Sequence, residues 1–300
     1  MPANQALPLQ KARSLYTPCL SFGRKIMDEN QPKVFGIMGY PLAHSLSPLL
    51  HNRIYEAMGQ KAVYKKFETR NPKACLDQIK ALGVKGLCVT IPYKERVLSY
   101  LDTLHPSALE IGAVNTILNQ EGRLVGYNTD GPGALRAIKE VMDLKGSSCL
   151  VVGAGGAARA VAISLRKEGA RLYITNRSPE NGLRLARDVQ GTYLGLEALK
   201  GMELDLVVQA TSLGMYPNMD AWPFDPEILK AKVVMEVIYN PLETKFLRRA
   251  KELGAKVILG YKMFVYQAML QIRLFLGQDP PLELMEGITQ EALLHHESPK

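Results

Sequence analysis

Apolar residues recur along this chain in short uninterrupted runs, separated by stretches where they return every three or four positions. The runs read as buried strands and the periodic stretches as amphipathic helices. Val34–Met38, Ala62–Phe67 and Gly86–Ile91 are predicted strands, interleaved with predicted helices at Ser47–Met58, Pro72–Leu82 and Lys94–Leu101. Ser47 and Pro48 fit the cap and first-turn positions of the first helix, and Gly83 closes the second. Two short strands, Ala113–Leu118 and Leu124–Tyr127, flank the turn Glu121-Gly122. Helix Gly131–Met142 then leads into a second series of strands at Cys149–Val152, Leu204–Ala210, Val233–Ile238 and Lys256–Leu259. The last long helix, Met263–Leu276, is apolar on most faces and should return, well buried, to the first series. Strands alternating with helices predict an α/β fold with mainly parallel sheets.

Within the second series, Leu150-Val151-Val152 breaks into Gly153-Ala154-Gly155-Gly156-Ala157 and continues as a helix to Lys167. Strand, glycine turn and helix in that order form a dinucleotide-binding unit: the glycines close the turn and admit a pyrophosphate, which the helix N-terminus faces. At the end of the next strand an NAD-preferring chain usually carries Asp or Glu. This chain has Asn176, followed by Arg177 and Ser178. An amide, a guanidinium and a hydroxyl suit a 2′-phosphate, so NADP is the expected cofactor. The chain therefore divides into an N-terminal extension over 1–31, expected to be flexible, an α/β unit over 32–130 completed by 262–300, and a Rossmann-type unit over 131–261. The working cleft is expected between the two units, where strand ends converge.

Composition narrows the partners. Three hundred residues, 47% of them hydrophobic, are enough for two cores, and no apolar run is long enough for a membrane span. The net charge is +8, yet the basic residues are dispersed among acids, without the basic blocks of a nucleic-acid binder. An anionic cofactor and a small anionic substrate account for it more simply. Cys19, Cys75, Cys88 and Cys149 are scattered, with no metal spacing, as in a reducing cytoplasm without disulfides. The first thirty residues lack the apolar core of a secretory signal, and Met27 offers an internal translation start just before the first strand.

Polar residues stand at strand ends throughout the first unit, in Ser45-Leu46-Ser47-Pro48, Val89-Thr90-Ile91-Pro92-Tyr93-Lys94, Gly112-Ala113-Val114-Asn115-Thr116 and Asn128-Thr129-Asp130-Gly131. Each has an ordinary reading: Ser47 as a helix cap, Lys94 as a solvated lysine, Asp130 as an N-cap, Asn115 as a turn residue. His44 reads as structural. Taken together with the glycine turn, Asn176-Arg177-Ser178, Ala210-Thr211-Ser212, Tyr239-Asn240-Pro241-Leu242-Glu243-Thr244 and the helix carrying Gln267, these segments resemble the shikimate dehydrogenase family from about Val34 to Leu276.

The resemblance implies NADPH-dependent reduction of 3-dehydroshikimate to shikimate, on the route to chorismate and the aromatic amino acids. It implies that Lys94 and Asp130 are the catalytic pair and that Ser45 and Ser47, with Tyr239 nearby, hold the substrate carboxylate. Thr90, Asn115 and Gln267 would bind ring hydroxyls. Gly153, Ala154, Gly155, Gly156, Ala157, Asn176, Arg177, Ser178, Thr211 and Met263 would bind the cofactor. Reducing a ketone needs a proton donor where negative charge develops, which a lysine ammonium oriented by a carboxylate can supply. The implied protein is cytoplasmic, a monomer or homodimer. Two departures stand out. Lys262 occupies a position where the family often has glycine, before Met263. A second basic residue commonly follows the Asn-Arg pair; here that position is Asn181, and Arg184 comes one turn later. A quinate/shikimate dehydrogenase using NAD is the near alternative, and a non-catalytic dinucleotide sensor the remote one.

Overall fold

The computed structural model describes residues 31–296. The expected extension, Met27 and Cys19 included, lies outside the described residues apart from Gln31.

Two six-stranded sheets carry the fold. The first contains β1 (Lys33–Gly39), β2 (Ala62–Glu68), β3 (Gly86–Val89), β4 (Thr103–Leu104), β5 (Thr116–Gln120) and β6 (Arg123–Tyr127), in the order β2-β1-β3-β5-β6-β4. Its strands β2, β1 and β3 are parallel, while β5 runs antiparallel to both β3 and β6. The turn between β5 and β6 uses Glu121 and Gly122, both at positive φ, as the sequence predicts for a hairpin. Helices α1 (Ser47–Ala57), α2 (Pro72–Ala81) and α3 (Pro106–Ile111) connect these strands.

The second sheet contains β7 (Ser148–Val152), β8 (Arg171–Thr175), β9 (Thr192–Tyr193), β10 (Glu203–Gln209), β11 (Lys230–Glu236) and β12 (Lys256–Ile258), all parallel. Its order, β12-β11-β10-β7-β8-β9, is the 3-2-1-4-5-6 arrangement of a dinucleotide-binding sheet read from β9. Between and after its strands come α5 (Gly156–Lys167), α6 (Pro179–Asp188), α7 (Lys245–Glu252), α8 (Gly260–Leu276) and α9 (Leu282–His296).

Helix α4 (Asp130–Lys139) joins the two sheets and is packed tightly on both sides. A Cβ on Gly131 would meet Ser164 Oγ of α5 at 2.4 Å, and one on Gly133 would meet the Gln267 backbone of α8 at 2.8 Å. Both glycines therefore let three helices approach more closely than any side chain would permit. Helix α8 returns to the first sheet, as its all-round apolar surface predicts: Phe275 stacks on Phe35 with ring centroids 4.9 Å apart. Helix α9 continues onto α1, where Glu291 pairs with Arg53. Cys75, Cys88 and Cys149 are buried.

Three local expectations need correction. Lys94–Leu101 is not an α-helix but a turn followed by a short 3₁₀ segment, Arg96–Tyr100. The Lys94 carbonyl accepts from Val114 N at 2.7 Å, so it is lost to a helical bond with Leu98, whose N–H turns instead to Glu95 O. By the same contact the strand expected from Ala113 begins only at Thr116, because Val114 points its N–H away from the ladder. Ser47 is not the cap of α1: the helix starts at Ser47, Leu46 precedes it, and no side chain caps it.

Candidate functional site

Asp130 and Lys94 arrive from different strands and meet. Asp130 is the first residue of α4, where the positive end of the helix favours a carboxylate. Its backbone is set by Asn128, whose Oδ1 accepts from Asp130 N at 2.9 Å and Gly131 N at 3.3 Å. Asn128 Nδ2 in turn donates to Ala113 O. Lys94 stands in the turn after β3 and places Nζ 2.5 Å from Asp130 Oδ2. The Lys94 side chain is 17% exposed and that of Asp130 5%, so the pair is mostly shielded from water but open on one side.

Asn115 braces the other carboxylate oxygen. Its Nδ2 donates to Asp130 Oδ1 at 2.9 Å and Thr129 Oγ1 at 2.8 Å, and lies 3.4 Å from Gln267 Oε1. Its Oδ1 accepts from Thr116 Oγ1 and Thr129 N. Gln267 donates to Phe264 O within α8 and faces this cluster. Behind it, Gln271 reaches Thr116 Oγ1 at 3.3 Å, and a fully buried His51 stacks on Tyr64 with centroids 4.1 Å apart. Burial pushes His51 down to about 3, so it stays neutral.

A second polar group forms at the mouth of β1. Tyr239, half-buried after β11, is pushed upward by burial and drawn back by hydrogen bonds from the Leu46 backbone and the Ser45 side chain. Ser45, Leu46 and Tyr239 are thus adjacent, and Tyr239 packs on Phe264 with rings 4.5 Å apart. Ser47 is buried next to Ser45, and its hydroxyl makes no capping bond. Thr90 follows β3 and packs against Gly39. His44 sits edge-on to Tyr216, 4.8 Å between centroids.

The glycine turn closes the cleft from the second sheet. Gly153 has φ +117°, a conformation reserved for glycine, and lies against Ala210 and Thr211. Thr211 is oriented by Gln209, whose Oε1 accepts from Thr211 N at 2.6 Å. Gly155 precedes α5 without any side-chain cap, and nothing lies within 4 Å of where its Cβ would be. The first N–H groups of α5 are therefore open to an anion, the arrangement a pyrophosphate requires. A Cβ on Gly156 would come within 3.0 Å of Lys94 Cβ, which brings turn and Lys94 into contact. Met263 is buried on α8, one turn before Gln267. Beside the turn, Ala154, Gly155, Asn176, Arg177, Ser178, Asn181, Arg184 and Glu95 line a cavity of about 340 Å³.

Three features show their partners only in the folded chain. Asn128 is quoted within a motif, but only the folded turn reveals that it fixes Asp130. Gln209 and Glu236 form a buried pair beneath the Thr211 loop; Glu236 Oε2 accepts from Thr244 Oγ1 at 2.6 Å, and burial raises its carboxyl to about 7. Lys262 is held by Glu286 at 2.8 Å and lies 3.9 Å from Glu140, so its ammonium is drawn toward α9 and α4.

Comparison with known proteins finds similarity to shikimate dehydrogenases. Residues 37–117 match the model of the shikimate dehydrogenase substrate binding domain, 136–216 that of shikimate/quinate 5-dehydrogenase, and 260–287 that of the shikimate 5′-dehydrogenase C-terminal domain. The chain is 42% identical over 273 residues to a shikimate dehydrogenase (NADP(+)) of Methanothermobacter thermautotrophicus, covering 87% of this chain and 96% of that protein. The crystal structure of shikimate 5-dehydrogenase from Thermus thermophilus in complex with NADP(H) and shikimate superposes with TM-score 0.80 at 39% identity, over 87% of this chain and 99% of that one. Quinate dehydrogenase from Corynebacterium glutamicum in complex with NAD gives TM-score 0.77 at 31% identity, over 87% and 100%.

Proposed function

The chain belongs to the shikimate dehydrogenase family, and from that premise we propose how its residues divide the work. It is an NADP-dependent oxidoreductase that interconverts 3-dehydroshikimate and shikimate, the family's step toward chorismate and the aromatic amino acids. Lys94 donates the proton to the carbonyl oxygen as charge develops there, and Asp130 orients Lys94 and accepts from a neighbouring substrate hydroxyl. The observation that carries this reading is the 2.5 Å Lys94–Asp130 contact directly beneath the glycine turn.

Ser45, Ser47 and Tyr239 hold the substrate carboxylate. The absence of a capping bond at Ser47 supports this, since its hydroxyl is left for a ligand. Thr90, Asn115 and Gln267 meet the ring hydroxyls, Asn115 doing so while bracing Asp130. Gly153, Ala154, Gly155, Gly156 and Ala157 would receive the pyrophosphate, with Thr211 and Met263 on the nicotinamide side. Asn176, Arg177 and Ser178 would receive the 2′-phosphate. NADPH, when bound, supplies the hydride. The protein supplies orientation, the proton and a shielded cleft.

The working units in this reading are 32–130 with 262–300, and 131–261; the return of α8 onto the first sheet supports that division. The protein acts in the cytoplasm as a monomer or homodimer, on small molecules alone. Initial rates of shikimate oxidation, followed through absorbance of the reduced nicotinamide, test the function. Turnover with NADP well above that with NAD is expected; quinate preferred over shikimate, or no turnover with either cofactor, would overturn the reading.

A further inference from the structure

The cavity beside the glycine turn has an uneven charge. Its lining carries two guanidiniums, Arg177 and Arg184, against one carboxylate, Glu95, for a formal +1. Arg177 follows β8 at the expected place. Arg184 lies one turn into α6 and reaches the same cavity for two structural reasons. Gly182 lets α6 lie close to the end of β8: a Cβ there would collide with the Tyr193 ring at 2.5 Å and press on Asn176 at 3.2 Å. Asn181, three residues before Arg184 and on the same helix face, accepts from Arg184 Nη2 at 3.3 Å and steadies the guanidinium.

Neither guanidinium is neutralised by a carboxylate among the described residues. Of the acids α6 could offer Arg184, Asp188 at i+4 is taken by Arg159 at 2.8 Å, and Glu180 at i−4, exposed in the first turn, makes no ion pair with it among the described residues. Arg187 turns back to Leu183 O. Two planar, permanently charged forks without acid partners, converging on one cavity, suit a doubly charged oxyanion.

We infer that Arg184 supplies the second cation for the 2′-phosphate of the dinucleotide, taking over from position 181, where this chain has an asparagine. This rests on the NADP reading above and assigns to Arg184 a share in the choice of NADP over NAD. Asn181 thereby becomes the positioning residue for that guanidinium, because a cation at 181 would repel Arg184 rather than hold it.

Calorimetric titration of the full chain with NADP and with NAD, without shikimate, tests it independently of turnover. The wild-type arm tests the 2′-phosphate pocket itself: NADP should bind tighter than NAD, and equal affinities would remove both readings. The Arg184→Ala arm tests the inference. Loss of a charge-assisted contact should weaken NADP binding by about 10- to 100-fold and leave NAD within about twofold. Arg184→Lys should recover the larger part for NADP. Arg184 is exposed, so the variant should fold, and an unchanged melting temperature checks this. Unchanged NADP affinity in Arg184→Ala, or equal losses for both dinucleotides, would overturn the assignment.

Discussion

At Lys94 the positive charge already has a partner: Asp130 lies 2.5 Å away, and Asn115 and Asn128 hold the aspartate from two further sides. At Arg177 and Arg184, across the glycine turn, two guanidiniums share a cavity, with no acid among the described residues ion-paired to either. The first cluster is mostly buried and internally satisfied; the second is exposed and electrostatically incomplete. A group that must act on a reacting atom needs a fixed geometry before substrate arrives, because orientation lowers the barrier only if it is already in place. A group that only recognises a phosphate gains from staying uncompensated, since an internal ion pair would have to break first.

Breaking the finished cluster should have the largest effect. Lys94→Ala removes the proposed proton donor and should lower turnover by about 10²–10⁴-fold, the span of general acid–base catalysis. The fold should survive, because Lys94 lies in a turn outside the cores. Circular dichroism alongside steady-state rates checks both. A smaller effect is expected where only binding is at stake. Ser47→Ala or Ser45→Ala should raise the Michaelis constant for shikimate by about 10-fold or more, as for a lost hydrogen bond to a charged group. The constant for NADP should hardly move. Shikimate kinetics unchanged in a variant would return that serine to a loop role.

Much of this contrast was legible in the chain, for reasons that differ between the two regions. Most central strands are short apolar runs, and the glycine turn announces itself by composition, so the α/β architecture and the dinucleotide-binding unit follow from pattern, whereas the strand order emerges only in the fold. Helices α3 and α7 are short, and α7 (Lys245–Glu252) is mostly charged, so neither stands out as a core-facing period. The segment after Lys94 has the composition of a helix; its outcome is decided by Val114, twenty residues away, which takes the Lys94 carbonyl. The role of Asn128 shares that invisibility, and so does the reach of Arg184, which the sequence shows only as a basic residue one turn after Asn181. One acts through backbone N–H groups of the following turn, the other through a close helix approach that only Gly182 and Tyr193 in three dimensions reveal.

The smallest predicted effect separates the two regions by pH. Glu236, under the Thr211 loop, is raised by burial from 4.5 to about 7. Above pH 4.5 the unfolded chain releases a proton that the folded chain keeps, so this group's contribution to stability is lost as pH rises toward 7. His51, behind Asn115, is lowered from 6.5 to about 3, so its contribution is lost as pH falls below 6.5. Each slope is at most about 1.4 kcal/mol per pH unit, and between pH 4.5 and 6.5 they oppose one another. Glu236→Gln should therefore unmask the His51 slope: denaturant unfolding between about pH 5 and 6.5 should show stability rising with pH more steeply than in the wild type. Parallel curves would contradict the burial-driven shift at Glu236.

The central claim is that Lys94 and Asp130 act as one unit, and a double-mutant cycle in turnover tests it most directly. Lys94→Ala and Asp130→Ala should each be severe, and the double variant should lose little more than the worse single one, because residues acting together are not additive. Losses that multiply in the double variant, or a folded Lys94→Ala protein with near-normal turnover, would contradict it.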